Sequence, residues 1–375
     1  MKKFLRSVFL YLLPFAIPLA VFVWGCVVGL STGEFGSLDR AIQEQRENPA
    51  IRIGRGYSEP KFYLKSVNAD YYQPEVMALG TSRAMQFKHD YFTRSFYNCG
   101  GVVSSNYSEY ENFLKSLSYH PQVILLDLDA WVFNDAWNSQ REDYSYDEVV
   151  PIEKPDVNYA YIVCEMVRDY RGGKWNFDSI HSHPDGIGMS ARVKGDGYAQ
   201  DGSYYSESVC RARDADPAEV SFADSLERIG EGESRFEYGD HVDPDTLAQL
   251  DHLLDYCRTN DIYVIGYAAP FAPCVYKTMG QSGNYGYLQE ITPCCEPVFA
   301  KYGFEYYDYL SGDFDGITDG YYLDGFHGSE IVYGMMVEDM LERGSRLSEY
   351  ADRDRLQQML AEKHNSLLFE PLAEN

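Results

Sequence analysis

From residue 75 onward, apolar residues occur in two patterns, short continuous runs and longer stretches with one at every third or fourth position. A continuous run predicts a strand buried on both faces, whereas the 3.6-residue spacing predicts an amphipathic helix. The predicted strands are EVMALG (75–80), QVILLDLDAWVF (122–133), IYVIGYAAP (262–270) and FEYYDYL (304–310). The predicted helices are 105–117, 244–262, 290–303 and 328–344.

Strands that alternate with helices favour a parallel α/β sheet whose crossovers are right-handed. We expect this domain to cover residues 74–345. Residues 134–240 interrupt the alternation, are rich in Asp, Ser, Gly and Tyr, and contain one predicted helix at 158–170. A loop region of this length is typical of a functional cap or insertion. Residues 346–375 predict a C-terminal helix followed by a tail.

The N-terminal segment predicts a membrane anchor. The uncharged stretch 7–30, SVFLYLLPFAIPLAVFVWGCVVGL, is 24 residues long, which suffices to cross a bilayer as a helix. Lys2, Lys3 and Arg6 precede it and favour a cytoplasmic N-terminus, so residues 31–73 become an extracytoplasmic stalk. A cleaved signal peptide, or a lipoprotein ending in VWGC, is the alternative. The length of the apolar part favours an uncleaved, single-pass plasma-membrane anchor at 1–30.

Composition narrows the function classes. The net charge of −26 argues against a nucleic-acid partner, because binding DNA or RNA requires a basic patch that displaces counterions. The eight cysteines form no C-x-x-C pair, which argues against zinc ribbons and thioredoxin-type chemistry. HSHPD (181–185) has no companion ligands at metal-site spacing, so we expect a solvated loop there and no metal. The serine chemistry considered below requires no organic cofactor.

Candidate chemistry lies where predicted strands end, because the carboxyl ends of parallel strands share one edge of a sheet. Ser82 follows the first strand in GTSR and could either cap a helix or act as a nucleophile. Asp324 and His327 precede the last helix. At three residues' separation the carboxylate can accept from the imidazole Nδ1–H, which leaves Nε2 to take a serine proton.

The chain resembles the SGNH/GDSL hydrolase superfamily in three motifs that occur in the same order. They are G-x-S at Ser82, N-x-G at Asn98 and Gly100, and D-x-x-H at Asp324 and His327. The GTSR form, the anchor and the long insertion resemble its membrane-anchored acyl-transfer branch. That branch includes proteins of lipoteichoic-acid D-alanylation and of alginate and peptidoglycan O-acetylation. The resemblance implies a flavodoxin-like sheet, Ser82 as nucleophile, His327 as base and Asp324 as its orienting partner.

The resemblance also implies an oxyanion hole made by the backbone N–H at the serine turn and that of Gly100. Where the family has an Asn donor, this chain has Asp127-Leu128-Asp129, and an ionised Asp129 would repel the oxyanion. Either Asn134 or another insertion residue supplies the third donor, or two donors suffice.

Two further side chains allow alternative interpretations. Asn98 either contributes to the site or only caps its own turn. Arg83 either binds a phosphate or carboxylate of the substrate or forms an ion pair with Asp127 or Asp129, and we favour the ion pair.

The sequence thus predicts an extracytoplasmic serine esterase or O-acyltransferase that acts on acyl esters of cell-envelope glycans through an acyl-enzyme. The insertion, with Trp131, Trp137 and Trp175 near or within it, is a candidate cover that excludes water. The resemblance implies a membrane-embedded acyltransferase as partner. The alternative is a catalytically inactive SGNH-fold protein that binds glycan or serves as an assembly subunit of an envelope polysaccharide-modification complex.

Overall fold

A computed structural model describes residues 2–103, 106–138, 146, 149, 153–215 and 222–369. The chain forms two compact units. The smaller unit comprises residues 1–60, 153–200 and 205–208, and the larger unit comprises residues 61–152, 201–204 and 209–375. Residues 1–60 thus belong to the same unit as residues 153–200 of the insertion.

The helices and strands have the following bounds. The strands are β1 Val76–Gly80, β2 Phe96–Gly100, β3 Val123–Leu128, β4 Gly197–Tyr198, β5 Tyr204–Tyr205, β6 Tyr263–Ala268 and β7 Glu305–Asp308. The helices are α1 Lys2–Thr32, α2 Leu38–Glu47, α3 Lys61–Tyr72, α4 Tyr107–Ser116, α5 Asp135–Asn138, α6 Tyr159–Arg171, α7 Met189–Lys194, α8 Glu207–Ala215, α9 Ala223–Glu231, α10 Pro244–Thr259, α11 Pro273–Ser282, α12 Ile291–Tyr302, α13 Glu330–Glu342 and α14 Arg353–Ala361.

The larger unit is built on a five-stranded sheet in the order β2-β1-β3-β6-β7. All four strand pairs are parallel. Counted along the chain, these strands stand in the order second, first, third, fourth, fifth, which is the flavodoxin-like order. Every residue of β1, β2 and β3 is buried, as expected for strands covered by helices on both faces. The predicted α/β class is confirmed.

Several predicted bounds need correction. The strand predicted over 122–133 ends at Leu128, because the chain turns at Asp129, whose carbonyl accepts from the Val132 N–H at 3.1 Å, and a 3₁₀ helix follows over Ala130–Phe133. The insertion contains α5, α7, α8 and α9 besides the predicted α6. Residue 105, where a helix was predicted to begin, lies outside the described residues, as do parts of the insertion and residues 370–375.

The smaller unit contains the N-terminal apolar helix. Its segment Pro14–Thr32 has a mean hydropathy of 2.0 and is long and apolar enough to span a membrane. Trp24 of this helix stacks on Trp175 with ring centroids 5.8 Å apart. Trp175, which was predicted as part of a cover over the site, is therefore a packing residue of this unit.

Residues following the apolar helix are held by a buried carboxylate. Glu34 has no exposed surface. Its two oxygens accept from the backbone N–H groups of Gly56, Tyr57, Ser58 and Met189 at 2.9–3.2 Å. A carboxylate with this many donors fixes the chain around it, so Glu34 holds residues 56–58 and Met189 in place.

The chain is closely packed around Gly80, at the carboxyl end of β1. An added Cβ would lie 2.3 Å from the Asp127 Cβ and 2.9 Å from the Ala84 Cβ. We expect Gly80→Ala to destabilise the protein by about 2 kcal/mol or more, because the crowded backbone must shift. Thermal and urea unfolding of the detergent-solubilised protein measure this.

The control is Gly280→Ala in α11, where an added Cβ meets nothing within 4 Å. It should leave stability unchanged or raise it by up to about 1 kcal/mol, because alanine favours helix. A Gly80→Ala protein as stable as the wild type would contradict the packing described here.

Candidate active site

The turn after β1 shows whether Ser82 caps the following helix, one of the two roles that the sequence allowed for it. Thr81 caps the 3₁₀ helix Ser82–Gln86, because its Oγ1 accepts from the Arg83 N–H at 3.2 Å. The same hydroxyl donates to Asp127 Oδ2 at 3.3 Å. The Ser82 side chain therefore does not serve as the cap and is available for another contact.

That contact is with His327, which lies 245 positions further along the chain. The Ser82 Oγ lies 2.9 Å from the His327 Nε2. On the other side of the ring, Nδ1 lies 3.0 and 3.1 Å from the two carboxylate oxygens of Asp324. A carboxylate accepts from Nδ1–H, so Nε2 is the acceptor for the serine hydroxyl. The three side chains expected to meet do so, in the order that nucleophile activation requires.

Asp324 is itself held in place by the loop. Its Oδ1 accepts from the backbone N–H groups of Phe326 at 2.8 Å and His327 at 2.7 Å. The side chain of Asp324 is 56% exposed, and its partial desolvation by the surrounding loop would by itself raise its pKa. The His327 ring and the two backbone donors outweigh this and hold that pKa well below its usual value of 3.8. Asp324 is therefore ionised at neutral pH and can fix the imidazole tautomer.

Arg83 lies beneath this turn and is completely buried. Its Nη1 donates to Asp129 Oδ1 at 3.0 Å, and its Nη2 donates to the Pro270 carbonyl. Its guanidinium carbon lies 4.5 Å from the Phe271 ring centroid. Because Arg83 is buried and its terminal nitrogens donate to Asp129 and Pro270, the structure shows the ion pair that the sequence favoured, and the substrate-binding alternative for Arg83 is not supported.

The two buried acids next to Arg83 form an interacting pair in which the two carboxyl groups carry different charges. Burial raises the pKa of Asp127 well above its usual value, the neighbouring Asp129 raises it further, and Arg83 opposes both effects. We infer that Asp127 is protonated, with its Oδ2 next to Thr81, while Asp129 carries the charge that neutralises Arg83. The ion pair of Arg83 with Asp129 therefore joins the chain after β1 to the chain after β3.

Two of the expected oxyanion and substrate-binding residues are engaged elsewhere. The Gly100 N–H donates to the Asn98 Oδ1 at 2.8 Å, so it is not free to bind an oxyanion in this conformation. The Asn98 Nδ2 donates to the carbonyls of Ala84 and Phe87 at 2.9 and 3.0 Å. Asn98 therefore acts as the side-chain cap of the turn, and both assignments are corrected.

Asn134 is corrected for the same reason. It is 2% exposed, its Nδ2 donates to the Glu237 carbonyl at 2.7 Å, and its Oδ1 accepts from the Ala136 N–H at 3.0 Å. The serine turn's own N–H remains as a donor, because the Ser82 N–H has no acceptor among the described residues.

An aromatic pair next to the histidine was not expected from the motifs. Trp131 and Phe326 stack with ring centroids 4.7 Å apart, and Phe326 lies 5.1 Å from the His327 ring. The Arg235 guanidinium carbon lies 5.6 Å from the Trp131 ring and 5.8 Å from the Phe326 ring. Phe326 could have been noticed inside D-G-F-H, whereas no sequence signal indicated Arg235.

Comparison with protein-family models, curated proteins and solved structures gives no match to this chain. The likeness to SGNH hydrolases therefore stays a prediction based on the motifs. Within the part of the chain that the structure describes, no group of three or more His, Cys, Asp or Glu side chains could hold a metal ion.

The Arg83–Asp129 pair leads to a stability prediction. Removing either partner alone, as Arg83→Met or Asp129→Leu, should cost about 3–5 kcal/mol, because an unpaired charge stays buried. The double variant should cost less than the sum of the two single variants. Arg343→Met breaks an ion pair whose arginine is 51% exposed and should cost at most about 1 kcal/mol. Urea unfolding of the four variants measures these differences, and additive losses would argue against the pair.

The lowered pKa of Asp324 leads to a pH prediction. A carboxylate whose pKa is lower in the folded state stabilises the protein above its unfolded pKa, and this contribution is lost as the pH falls toward the folded pKa. The difference in melting temperature between wild type and Asp324→Asn should therefore be largest near pH 6 and shrink below pH 4. Asp313→Asn, at an exposed position, is the control, and a difference independent of pH would contradict the charge contribution.

Proposed function

We propose that this chain is an SGNH-type serine esterase or O-acyltransferase that works through a covalent acyl-enzyme. The observation that supports this most strongly is the 2.9 Å contact of Ser82 Oγ with His327 Nε2. A serine needed only as a helix cap would not require this contact, since Thr81 already caps the turn. A neutral serine gains nucleophilic strength only from such an adjacent base.

The chemistry follows from the order of the three groups. Ser82 Oγ attacks the ester carbonyl carbon while its proton passes to His327 Nε2, and Asp324 stabilises the imidazolium through Nδ1–H. When the tetrahedral intermediate collapses, His327 returns the proton to the leaving alkoxide and the acyl group stays on Ser82. A second hydroxyl, from water or a glycan, then gives its proton to His327, attacks the acyl-enzyme and restores the free serine.

The oxyanion would be bound by the N–H of Ser82. One well-placed donor contributes about 3–4 kcal/mol to transition-state stabilisation. Because Gly100, Asn98 and Asn134 are engaged elsewhere in this conformation, we expect slower acyl transfer than a site with three donors would support.

The substrate and location are proposed from the N-terminal helix and the motifs. An apolar helix with a basic N-terminal flank would leave the larger unit outside the plasma membrane. There, acyl esters of cell-envelope glycans would be within reach. A membrane-embedded acyltransferase would supply acyl groups that originate in the cytoplasm. Trp131 and Phe326, stacked beside His327, would limit the access of water to the acyl-enzyme.

A second candidate function is a non-catalytic glycan-binding or assembly subunit. One observation favours it specifically: three of the expected oxyanion donors are hydrogen-bonded within the protein. In that case the serine, histidine and aspartate would hold the last loop against the serine turn without turning over an ester.

Covalent labelling with a fluorophosphonate and hydrolysis of an aryl acetate distinguish the two functions. Wild type should be labelled and should hydrolyse the ester. Ser82→Ala should abolish labelling, and His327→Gln or Asp324→Asn should lower kcat by about 10³–10⁴-fold, because the base or its tautomer is lost. Transfer is tested by adding an oligosaccharide acceptor and following its acylation by mass spectrometry.

Ser348→Ala, at an exposed serine, is the matched control and should be labelled like wild type. Labelling that persists in Ser82→Ala would remove Ser82 from the nucleophile role. Absence of both labelling and turnover in folded wild type would favour the non-catalytic function.

A further inference from the structure

Arg235 presents an open cationic group beside the candidate active site. Its side chain is half-buried. Its positive charge acts on Asp129, whose pKa is raised by burial and lowered in part by Arg83 and Arg235, but its guanidinium lies within hydrogen-bond or ion-pair distance of no group in the described part of the chain. The guanidinium packs near the rings of Trp131 and Phe326, 5.6 and 5.8 Å from their centroids. Its planar donors are thus held against an aromatic surface and remain available to a ligand.

Arg83 provides a comparison at the same pair of rings. Its guanidinium carbon lies 5.6 and 5.1 Å from the Trp131 and Phe326 centroids, but its Nη1 and Nη2 donate to Asp129 and Pro270. Arg83 is also fully buried, whereas Arg235 is not. One arginine therefore supports the aromatic pair from inside the protein, and the other lies against it without a partner among the described residues.

The backbone that carries Arg235 is strained. Ser234 and Arg235 have φ angles of 56° and 78°, the left-handed region that non-glycine residues rarely adopt. Two consecutive residues of this kind cost stability, and such strain is concentrated at ligand-binding and catalytic segments. The Arg235 N–H donates to Glu237 Oε1 at 3.3 Å, which helps hold the conformation.

Phe326 links this guanidinium to the reacting groups. Its ring lies 5.1 Å from the His327 ring, so one aromatic side chain separates the Arg235 guanidinium from the base that contacts Ser82. A molecule that reacts at Ser82 would meet the Arg235 guanidinium only if it carried a second functional group extending past the Phe326 ring. A guanidinium pairs best with the planar oxygens of a carboxylate or with those of a phosphate.

We propose that Arg235 binds an anionic group, a carboxylate or a phosphate, on the molecule whose acyl ester forms or breaks at Ser82. This proposal rests on the proposed function for the reaction, but the anion site itself can be tested without turnover. In a chain with a net charge of −26, an anionic ligand would depend strongly on such a local cation.

The test is binding of three small polyols to the full-length protein in detergent, followed by tryptophan fluorescence, since Trp131 lies under the guanidinium. The probes are glycerol 3-phosphate, glycerate and neutral glycerol. Wild type should respond to at least one anion and not to glycerol. The stronger of the two anion responses identifies phosphate or carboxylate as the preferred group.

Arg235→Gln should weaken anion binding at least about tenfold, because a charge-assisted hydrogen bond is lost. Arg235→Lys should give intermediate binding, since the charge stays but the planar fork is lost. Arg94→Gln is the matched control. It changes the same charge at an exposed position two residues before β2, at the opposite edge of the sheet, and should bind like wild type.

The proposal is overturned if Arg235→Gln binds the anions like wild type, if glycerol gives the same response, or if wild type binds neither anion at millimolar concentration. Arg235-dependent anion binding in a protein without esterase activity would support the anion site and remove the proposed reaction. Ester turnover without Arg235-dependent anion binding would support the proposed reaction and remove the anion site.

Discussion

A single buried guanidinium joins the carboxyl ends of three neighbouring strands. Arg83 follows β1, donates to Asp129 after β3, and donates to the carbonyl of Pro270 after β6. An arginine with no exposed surface is tolerated only when its charge is paired, and here Asp129 supplies the opposite charge while Pro270 accepts from the second terminal nitrogen. The position of the serine turn, and with it the reach of Ser82 toward His327, depends on this contact.

At the same edge of the sheet, some residues are hydrogen-bonded within the turn and others contact the candidate reacting groups. The turn is held by hydrogen bonds of Thr81, Asn98 and Gly100. These bonds make the site rigid, and they also occupy donors that could otherwise bind an oxyanion. Ser82 and His327 are free of these tasks and contact each other. Arg235 differs from these residues, because its backbone has a strained positive φ angle and its guanidinium is not hydrogen-bonded within the described residues. A rigid support beneath and an open cation beside the reacting groups suit a site that positions a charged ligand.

Much of the fold could be predicted because its signals are local. The apolar runs of β1 and β6 and the spacing of α10, α12 and α13 identify buried strands and amphipathic helices, and their alternation implies a parallel sheet. The errors lie where long-range contacts compete with local pattern. The apolar residues of the run 122–133 continue to Phe133, yet the strand ends at Leu128, because the chain turns at Asp129 and a 3₁₀ helix follows. The Asp129 side chain accepts from Arg83, a residue 46 positions away. The insertion divides between two units because its partners lie far away in the sequence, and no local pattern reports them.

By itself, the sequence determined the residue types that could act together: a serine after the first strand, and an aspartate three residues before a histidine. That spacing fixes the Asp324–His327 contact, because the loop itself brings the carboxylate to Nδ1. Tertiary structure alone decided that Ser82 faces His327 and that Thr81, not Ser82, caps the turn. It likewise decided which side chains and N–H groups are hydrogen-bonded within the protein: those of Gly100, Asn98, Asn134 and Arg83. It also decided that Arg235 lies beside the aromatic pair. These outcomes depend on competition among donors and acceptors that meet only when the strands align, and a one-dimensional pattern does not record which partner wins.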